Sequence, residues 1–287
     1  SDLPYIGGKS LISKTLIVPN IPKDIEIYLE CFSGMYWVFF NMNLENYPKL
    51  KKIVYNDFNP LNVNLFRCLK EDHQKLLKEC EKIPVQKKGE FPTPPECQKF
   101  FDDSQKEIYA ENFVIGTEPN YDVAAKHALI LSSVFSGANP EKSKFIDLKG
   151  KYHSKFTSFM NKLKNPKWQK MFESITDLEN MDFEEAIKKY DSPTTYIYAD
   201  PPYYIVGEGS YYSNHDFTRE DHERLANCLK SIKGKFAMSY YYFDDLEKWF
   251  PKDKYNWKEK EFAKAAMAKA GKAQTKGTEL LIMNYGS

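Results

Sequence analysis

The stretch Thr195-Tyr196-Ile197-Tyr198-Ala199-Asp200-Pro201-Pro202-Tyr203-Tyr204 decides the fold. Its first half is apolar, aromatic and β-branched, the composition of a buried strand. Prolines lack the N–H that a strand ladder needs, so the run stops at Pro201. Asp200 therefore stands at the C-terminal end of a strand, on a stiff turn, with Tyr203 and Tyr204 just beyond. In an open α/β sheet that end of a strand is where ligands bind. Taken alone, the segment also reads as a plain strand stop with a solvated acid and surface tyrosines.

Working outward, Ile27–Leu29, Ile53–Tyr55, Phe236–Met238 and Leu280–Met283 are further apolar runs of strand character. Helical patterns lie between them. After Phe217, Thr218 is followed three residues on by Asp221, a capping-box start, and Leu225, Cys228, Leu229 and Ile232 then share one face. Strands alternating with helices predict a mostly parallel sheet with helices on both faces. The middle of the chain, residues 68–170, is different: rich in lysine, proline and polar groups. Pro84 to Pro95 holds four prolines and no periodicity, and the helix expected over Ala124–Phe135 is stopped by Gly137 and Pro140. The expected organisation is thus a catalytic domain from residues 1–67 and 171–287, with an inserted, mostly helical subdomain at 68–170.

Composition narrows the class. Hydrophobic residues make up 42% and charged residues 28% of 287, an ordinary globular balance. No run of eighteen apolar residues predicts a membrane span, and the first residues lack a signal-peptide pattern, so a cytoplasmic protein is expected. The five cysteines show no CxxC spacing and the five histidines no HxxxH, so neither a metal site nor a disulfide framework is expected. A net charge of +1 announces no polyanionic partner for the molecule as a whole.

Three more stretches carry candidate chemistry. In Tyr5-Ile6-Gly7-Gly8-Lys9-Ser10 two glycines let backbone N–H groups approach a ligand and a lysine supplies charge, although the spacing is not that of a Walker A loop. Leu29-Glu30-Cys31-Phe32-Ser33-Gly34-Met35-Tyr36-Trp37 follows a strand and opens a helix, the position of nucleotide-contacting loops. Ile53-Val54-Tyr55-Asn56-Asp57 ends a strand in an acid about 20 residues past Gly34, the offset of a carboxylate that accepts ribose hydroxyls. A helix N-cap is the equal alternative for Asp57.

These four stretches, in this order, resemble the Dam-type (alpha-class) DNA adenine-N6 methyltransferases over nearly the whole chain. Ser133-Val134-Phe135-Ser136-Gly137, Phe217 with Asp221-His222 and Leu225, and Glu279 to Tyr285 are similar to further family segments. The resemblance implies an α/β fold: a Rossmann-like methyltransferase sheet with helices on both faces, plus an inserted, mostly helical DNA-recognition subdomain bearing a basic hairpin or loop. It implies methyl transfer from S-adenosylmethionine to the N6 amine of a flipped-out adenine in double-stranded DNA, with S-adenosylhomocysteine as product, no metal, and a monomeric enzyme. Asp200 and the Pro201 carbonyl would accept the amine hydrogens, Pro202 would stiffen the turn, and Tyr203 would stack on the base. Tyr5, Gly7, Gly8, Lys9, Glu30, Phe32, Gly34, Asp57, Asp182, Phe183 and Asp200 would surround the cofactor. Asp182 reads equally well as the N-cap of a helix over Phe183–Tyr190.

In the insert, Lys142, Lys144, Lys149, Lys151, Lys155 and His153 stand against only Glu141 and Asp147, with aromatic rings interleaved. These are the expected DNA contacts; a solvated loop face is the alternative. The alanine- and lysine-rich run Ala263 to Lys276 reads either as an exposed helix or as a flap over DNA.

There is one departure from the family pattern. The loop usually reads Phe-x-Gly-x-Gly, and Tyr36 replaces the second glycine. Three outcomes are open. Tyr36 points away into the core, or it reshapes the methionine pocket, or it weakens cofactor binding and leaves a DNA-binding protein with little activity. The first is favoured, because Trp37-Val38-Phe39-Phe40 already looks like core and Asp200 is intact. Cytosine N4 and RNA amino groups are rival substrates with the same delocalised lone pair. Restriction–modification, phage and housekeeping roles all fit this reading.

Overall fold

The computed structural model describes residues 10–134, 139–151, 154–202, 217–261 and 278–286. Tyr5, Gly7, Gly8, Lys9, His153, Tyr203 and the run Ala263 to Lys276 lie outside the described residues. The described elements, in chain order, are α1 (Ser10–Ile12), β1 (Ile27–Glu30), α2 (Trp37–Phe40), β2 (Lys52–Asn56), α3 (Pro60–Glu81), α4 (Pro95–Ile108) and α5 (Tyr121–Ser132). They continue as α6 (Lys155–Leu163), α7 (Pro166–Ser174), β3 (Asp177–Glu179), α8 (Phe183–Tyr190), β4 (Thr195–Ala199), α9 (Arg219–Lys230), β5 (Lys235–Tyr241), α10 (Asp244–Trp249), β6 (Asn256–Glu261) and β7 (Thr278–Met283). The sheet has seven strands in the order β3-β2-β1-β4-β5-β7-β6.

β1 runs parallel to β2 and β4, and β4 parallel to β5, whereas β7 is antiparallel to β5 and β6. All five apolar runs read from the sequence are strands of this sheet. The chain leaves β1 toward β2 and later returns to β4 on the opposite side of β1. Strand order therefore reverses between β1 and β4, where open α/β sheets place their ligands. β4 is buried along its whole length, which is why it reads as a continuous apolar run rather than an alternating one.

Two compact units divide the chain at 58/59 and 180/181, where the sequence reading placed the divisions at 67/68 and 170/171. The sheet unit, Lys9–Phe58 with Met181–Ser287, has a core on one sheet face. There Leu29, Val54, Ile197, Phe236 and Ile282 pack against Phe183 and Ile187 of α8, Leu225 and Leu229 of α9, and Leu246 of α10. Alternation sends Tyr28, Tyr55, Tyr196 and Tyr198 to the other face, all essentially fully buried. Thr218 and Asp221 form the capping box that starts α9, as expected.

The second unit, Asn59–Asn180, holds α3–α7 and β3. Leu61, Phe101, Ile108, Val123 and Ile130 of α3, α4 and α5 form its core, and Phe145 packs against Phe101 with ring centroids 5.5 Å apart. α5 begins at Tyr121 with Asn120 as its cap, three residues earlier than expected, because the Asn120 side chain accepts from Val123 N–H at 3.1 Å.

Candidate active site at the ends of β1, β2 and β4

β1 and β4 pair in register Glu30 to Tyr198, so Asp200 lies two residues beyond the partner of Glu30. Asp200 is half-buried and the following Pro201 is buried. Between them β1 turns sharply. Ser33 N–H donates to Asn56 O at 2.8 Å, and Ser33 Oγ donates to Glu30 O at 2.7 Å. Gly34 takes φ +51°, and among the described residues no atom beyond its chain neighbours lies within 4 Å of where its Cβ would stand. Asp57 Oδ2 accepts from Gly34 N–H at 2.8 Å, and Tyr55 OH donates to Gly34 O at 2.6 Å. The acid at the end of β2 thus shapes the loop after β1. It is not a helix cap: α3 is capped by Asn59, whose side chain accepts from Leu61 N–H at 2.9 Å.

Tyr36 takes a left-handed backbone, φ 62° and ψ 37°, a conformation that favours glycine. Its ring is fully buried, packed on Phe39 and Tyr55 at 4.7 and 5.2 Å, and its hydroxyl donates to Val54 O at 2.7 Å. Of the three outcomes set out above, this geometry matches the first: the side chain enters the tyrosine layer under the sheet.

Glu30 is 3% exposed. Its Oε2 accepts from Tyr28 OH at 2.6 Å and from Phe39 N–H at 3.1 Å. Burial pushes its carboxyl up to about 8, against the opposing pull of those two donors, and the charge of Asp200 adds to the rise. Two carboxyls therefore share this corner, and the more buried one holds the proton at neutral pH. On the next strand, burial and then Asp200 push the Tyr240 phenol well up. Tyr240 OH is hydrogen-bonded to His222 Nδ1. Burial lowers His222 to about 4, outweighing the nearby Asp221, so the imidazole facing the phenol is neutral.

Beside the loop, Phe32, Phe183 and Phe217 form a ring cluster, with Phe32 centred 5.4 Å from Phe183 and 5.7 Å from Phe217. Arg224 lies over Phe183 at 4.2 Å. Asp182 caps α8, accepting from Glu184 N–H at 3.0 Å, and holds Arg224 through both oxygens at 2.7 and 3.0 Å. That ion pair keeps the Asp182 carboxyl below the usual carboxylate range. Its capping reading is thus realised.

Four residues of this corner were given no role by the sequence reading. Asn56, fully buried, donates to Cys31 O and Met181 O at 3.0 and 3.1 Å and accepts from Met181 N–H at 3.0 Å, tying three chain segments together. An asparagine ending an apolar strand run was its only signal. Phe58 is 78% exposed directly after Asp57. The Tyr240–His222 pair joins residues on different elements and had no signal beyond a histidine on an apolar helix face. A cleft of about 680 Å³ lies between α8 and α9; it is walled by charged side chains such as Glu184, Lys188, Glu223 and Arg224 and includes none of Glu30, Gly34, Asp57 and Asp200. The strand ends, not this cleft, carry the convergent chemistry.

In the helical unit Lys142, Lys144, Lys149, Lys151 and Lys155 are all exposed. Residues 139–151 form turns without a strand, so the described part of the basic segment is a loop. Among the described residues no cluster of acids, histidines and cysteines could hold a metal ion, and no helix is long and apolar enough to cross a membrane.

A model of the D12 class N6 adenine-specific DNA methyltransferase family matches residues 5–265. The type II methyltransferase M1.LlaDCHI of Lactococcus lactis subsp. cremoris is 26% identical, over 99% of this chain and 94% of its own. The rRNA methyltransferase aviRa of Streptomyces viridochromogenes superimposes with a TM-score of 0.41 at 10% identity, over 97% of this chain and 85% of that one. The family match takes in Glu30, Gly34, Asp57 and Asp200 in a single span, and the chain belongs to the D12 class of N6 adenine-specific DNA methyltransferases.

Proposed function

We propose that the protein moves the methyl group of S-adenosylmethionine to the N6 amine of an adenine turned out of duplex DNA. The observation that carries this reading is the meeting of Asp200-Pro201 with the Glu30–Gly34 loop at the reversal in strand order. The residues present fit the cofactor. Asp57 offers a carboxylate for ribose hydroxyls, with the exposed ring of Phe58 beside it for a purine. Gly34, with no Cβ, permits close backbone approach, and Phe32 and Phe183 supply an apolar wall with Asp182 at its edge. By the family resemblance, Tyr5, Gly7, Gly8 and Lys9 complete this site. When bound, the cofactor supplies an electrophilic methyl group.

The rest is the work of the protein. The adenine amine is a poor nucleophile because its lone pair is delocalised into the ring. Asp200 and the Pro201 carbonyl accept its two N–H groups, which localises the lone pair and aims it. The fixed φ of proline sets that geometry before substrate arrives. Tyr203 stacks on the extruded base. Glu30 retains its proton, which spares the corner a second negative charge beside Asp200. Lysines of the loop at 142–151 and Lys155 position DNA phosphates.

The test is transfer of labelled methyl from S-adenosylmethionine to unmethylated duplex DNA, with Asp200→Ala alongside, followed by nucleoside analysis. Label in N6-methyldeoxyadenosine, absent with the variant, is expected. Label in N4-methyldeoxycytidine, or an Asp200→Ala protein that still methylates, would overturn the assignment.

A further inference from the structure

The proline-rich segment 84–95 has no part in the site above, yet it is a built structure. Gln86 is buried, and its side-chain amide donates to Glu90 O at 3.1 Å and Thr93 Oγ1 at 2.9 Å. Lys87 N–H donates to Glu90 Oε2 at 3.0 Å. The resulting turn exposes Lys87 and Lys88 and leaves Phe91 63% exposed. An aromatic ring so placed forgoes the burial that rings of this size ordinarily gain.

The turn is joined to the lysine-bearing loop at three points. Gly89 N–H donates to Gly150 O at 2.9 Å. Thr93 Oγ1 donates to Asp147 Oδ1 at 2.5 Å. A Cβ on Gly150 would stand 3.0 Å from Glu90 O and 3.4 Å from Phe91 Cβ, at a φ of +72°. Only glycine suits both the conformation and the approach. The acids of this surface are turned to internal use: Glu90 holds Lys87 N–H, and Asp147 also holds Lys149 N–H at 2.8 Å. Exposed around the ring are Lys87, Lys88, Lys149 and Lys151, against Asp147 as the one exposed acid of residues 86–93 and 147–151.

We propose that residues 86–93 are the second half of the DNA-contacting surface, in which Lys87 and Lys88 join the lysines of the neighbouring loop on backbone phosphates and Phe91 contacts bases. This rests on the reading of the protein as a DNA methyltransferase. The lysines contribute affinity through released counterions, which salt reports. A neutral ring contributes by stacking or wedging against bases, which salt does not report.

The two contributions separate in binding isotherms of the full chain on labelled unmethylated duplex at several salt concentrations. Phe91→Ala is expected to weaken binding about tenfold with the salt slope unchanged. Lys87→Ala/Lys88→Ala is expected to reduce the slope of log K against log salt by about 2. Gly150→Ala, whose Cβ would press on Glu90 O and Phe91 Cβ at a strained φ, should weaken binding in the same direction as Phe91→Ala. Because Phe91 is exposed, its variant should melt with the wild type. If wild type methylates DNA but all three variants bind within twofold of it at every salt, the proposal is wrong and the enzyme assignment survives. A wild type that neither binds duplex nor transfers methyl would remove both.

Discussion

Replacing Tyr36 by glycine restores the family's loop sequence, and it should nevertheless destabilise this protein. The ring is 0% exposed among Tyr28, Phe39, Phe40 and Tyr55, and its hydroxyl reaches Val54 O at 2.7 Å. Removing a buried aromatic ring costs about 3–5 kcal/mol, and stranding the Val54 carbonyl costs about 1 kcal/mol more. Against this, a non-glycine residue at φ 62° carries roughly 1–2 kcal/mol of left-handed strain that glycine relieves. The net loss for Tyr36→Gly is about 3–4 kcal/mol, a large share of a typical total of about 5–15 kcal/mol. Tyr36→Ala loses the same contacts and keeps the strain, so it should be worse than glycine by about 1 kcal/mol. That ordering is the reverse of a helix interior, where alanine is better by about 1 kcal/mol. Tyr36→Phe keeps the ring and loses only the hydroxyl, at a cost of about 1 kcal/mol. Urea unfolding of the three variants at one pH reads all of this. Alanine matching or exceeding glycine would show that the left-handed backbone carries no strain. A glycine variant as stable as wild type would show that the ring contributes no packing.

Glu30→Gln should change the pH dependence of stability. With a carboxyl near 8 folded and 4.5 unfolded, the native state holds a proton that the unfolded chain has released. The contribution is therefore full below pH 4.5 and is lost as pH rises through 8, at up to about 1.4 kcal/mol per unit. Glutamine keeps an acceptor for Tyr28 and Phe39 and removes this slope, so wild-type and variant unfolding free energies that run parallel from pH 5 to 8 would refute the protonated carboxyl. Lys144→Ala should weaken binding to all duplexes alike and lower the salt slope by about 0.9; a loss confined to one sequence would mean a base contact instead.

What could be read in the chain was whatever depends on neighbours in sequence. Tyr196–Tyr198 and Ile53–Tyr55 announce themselves because strands buried on both faces are continuous apolar runs. The Thr218–Asp221 box lies within one turn of helix, and Asp200 sits at a strand end because Pro201 forbids continuation. β6, with the sequence Asn-Trp-Lys-Glu-Lys-Glu, was not legible. It is an edge strand, and edges are kept charged so that they do not pair with other chains. The division of units also fell elsewhere than composition suggested, since the N-terminal part of α3 contributes Leu61 to the helical core.

The site divides in the same way. The residue types at Glu30, Gly34, Asp57 and Asp200, and their order, are properties of the sequence and were enough to indicate the family. Tertiary structure alone decided that Glu30 keeps its proton, because only burial beside Asp200 raises its carboxyl. It decided that Tyr36 could take a glycine's place, because a space of its size exists between Phe39 and Tyr55 with the Val54 carbonyl at its end. It decided that Phe91 stands beside the basic loop, because Gly150 leaves room for Glu90 there. Pattern along a chain encodes which side chains are buried; the protonation, room and company of each depend on segments far away in sequence, and those are fixed only when the chain folds.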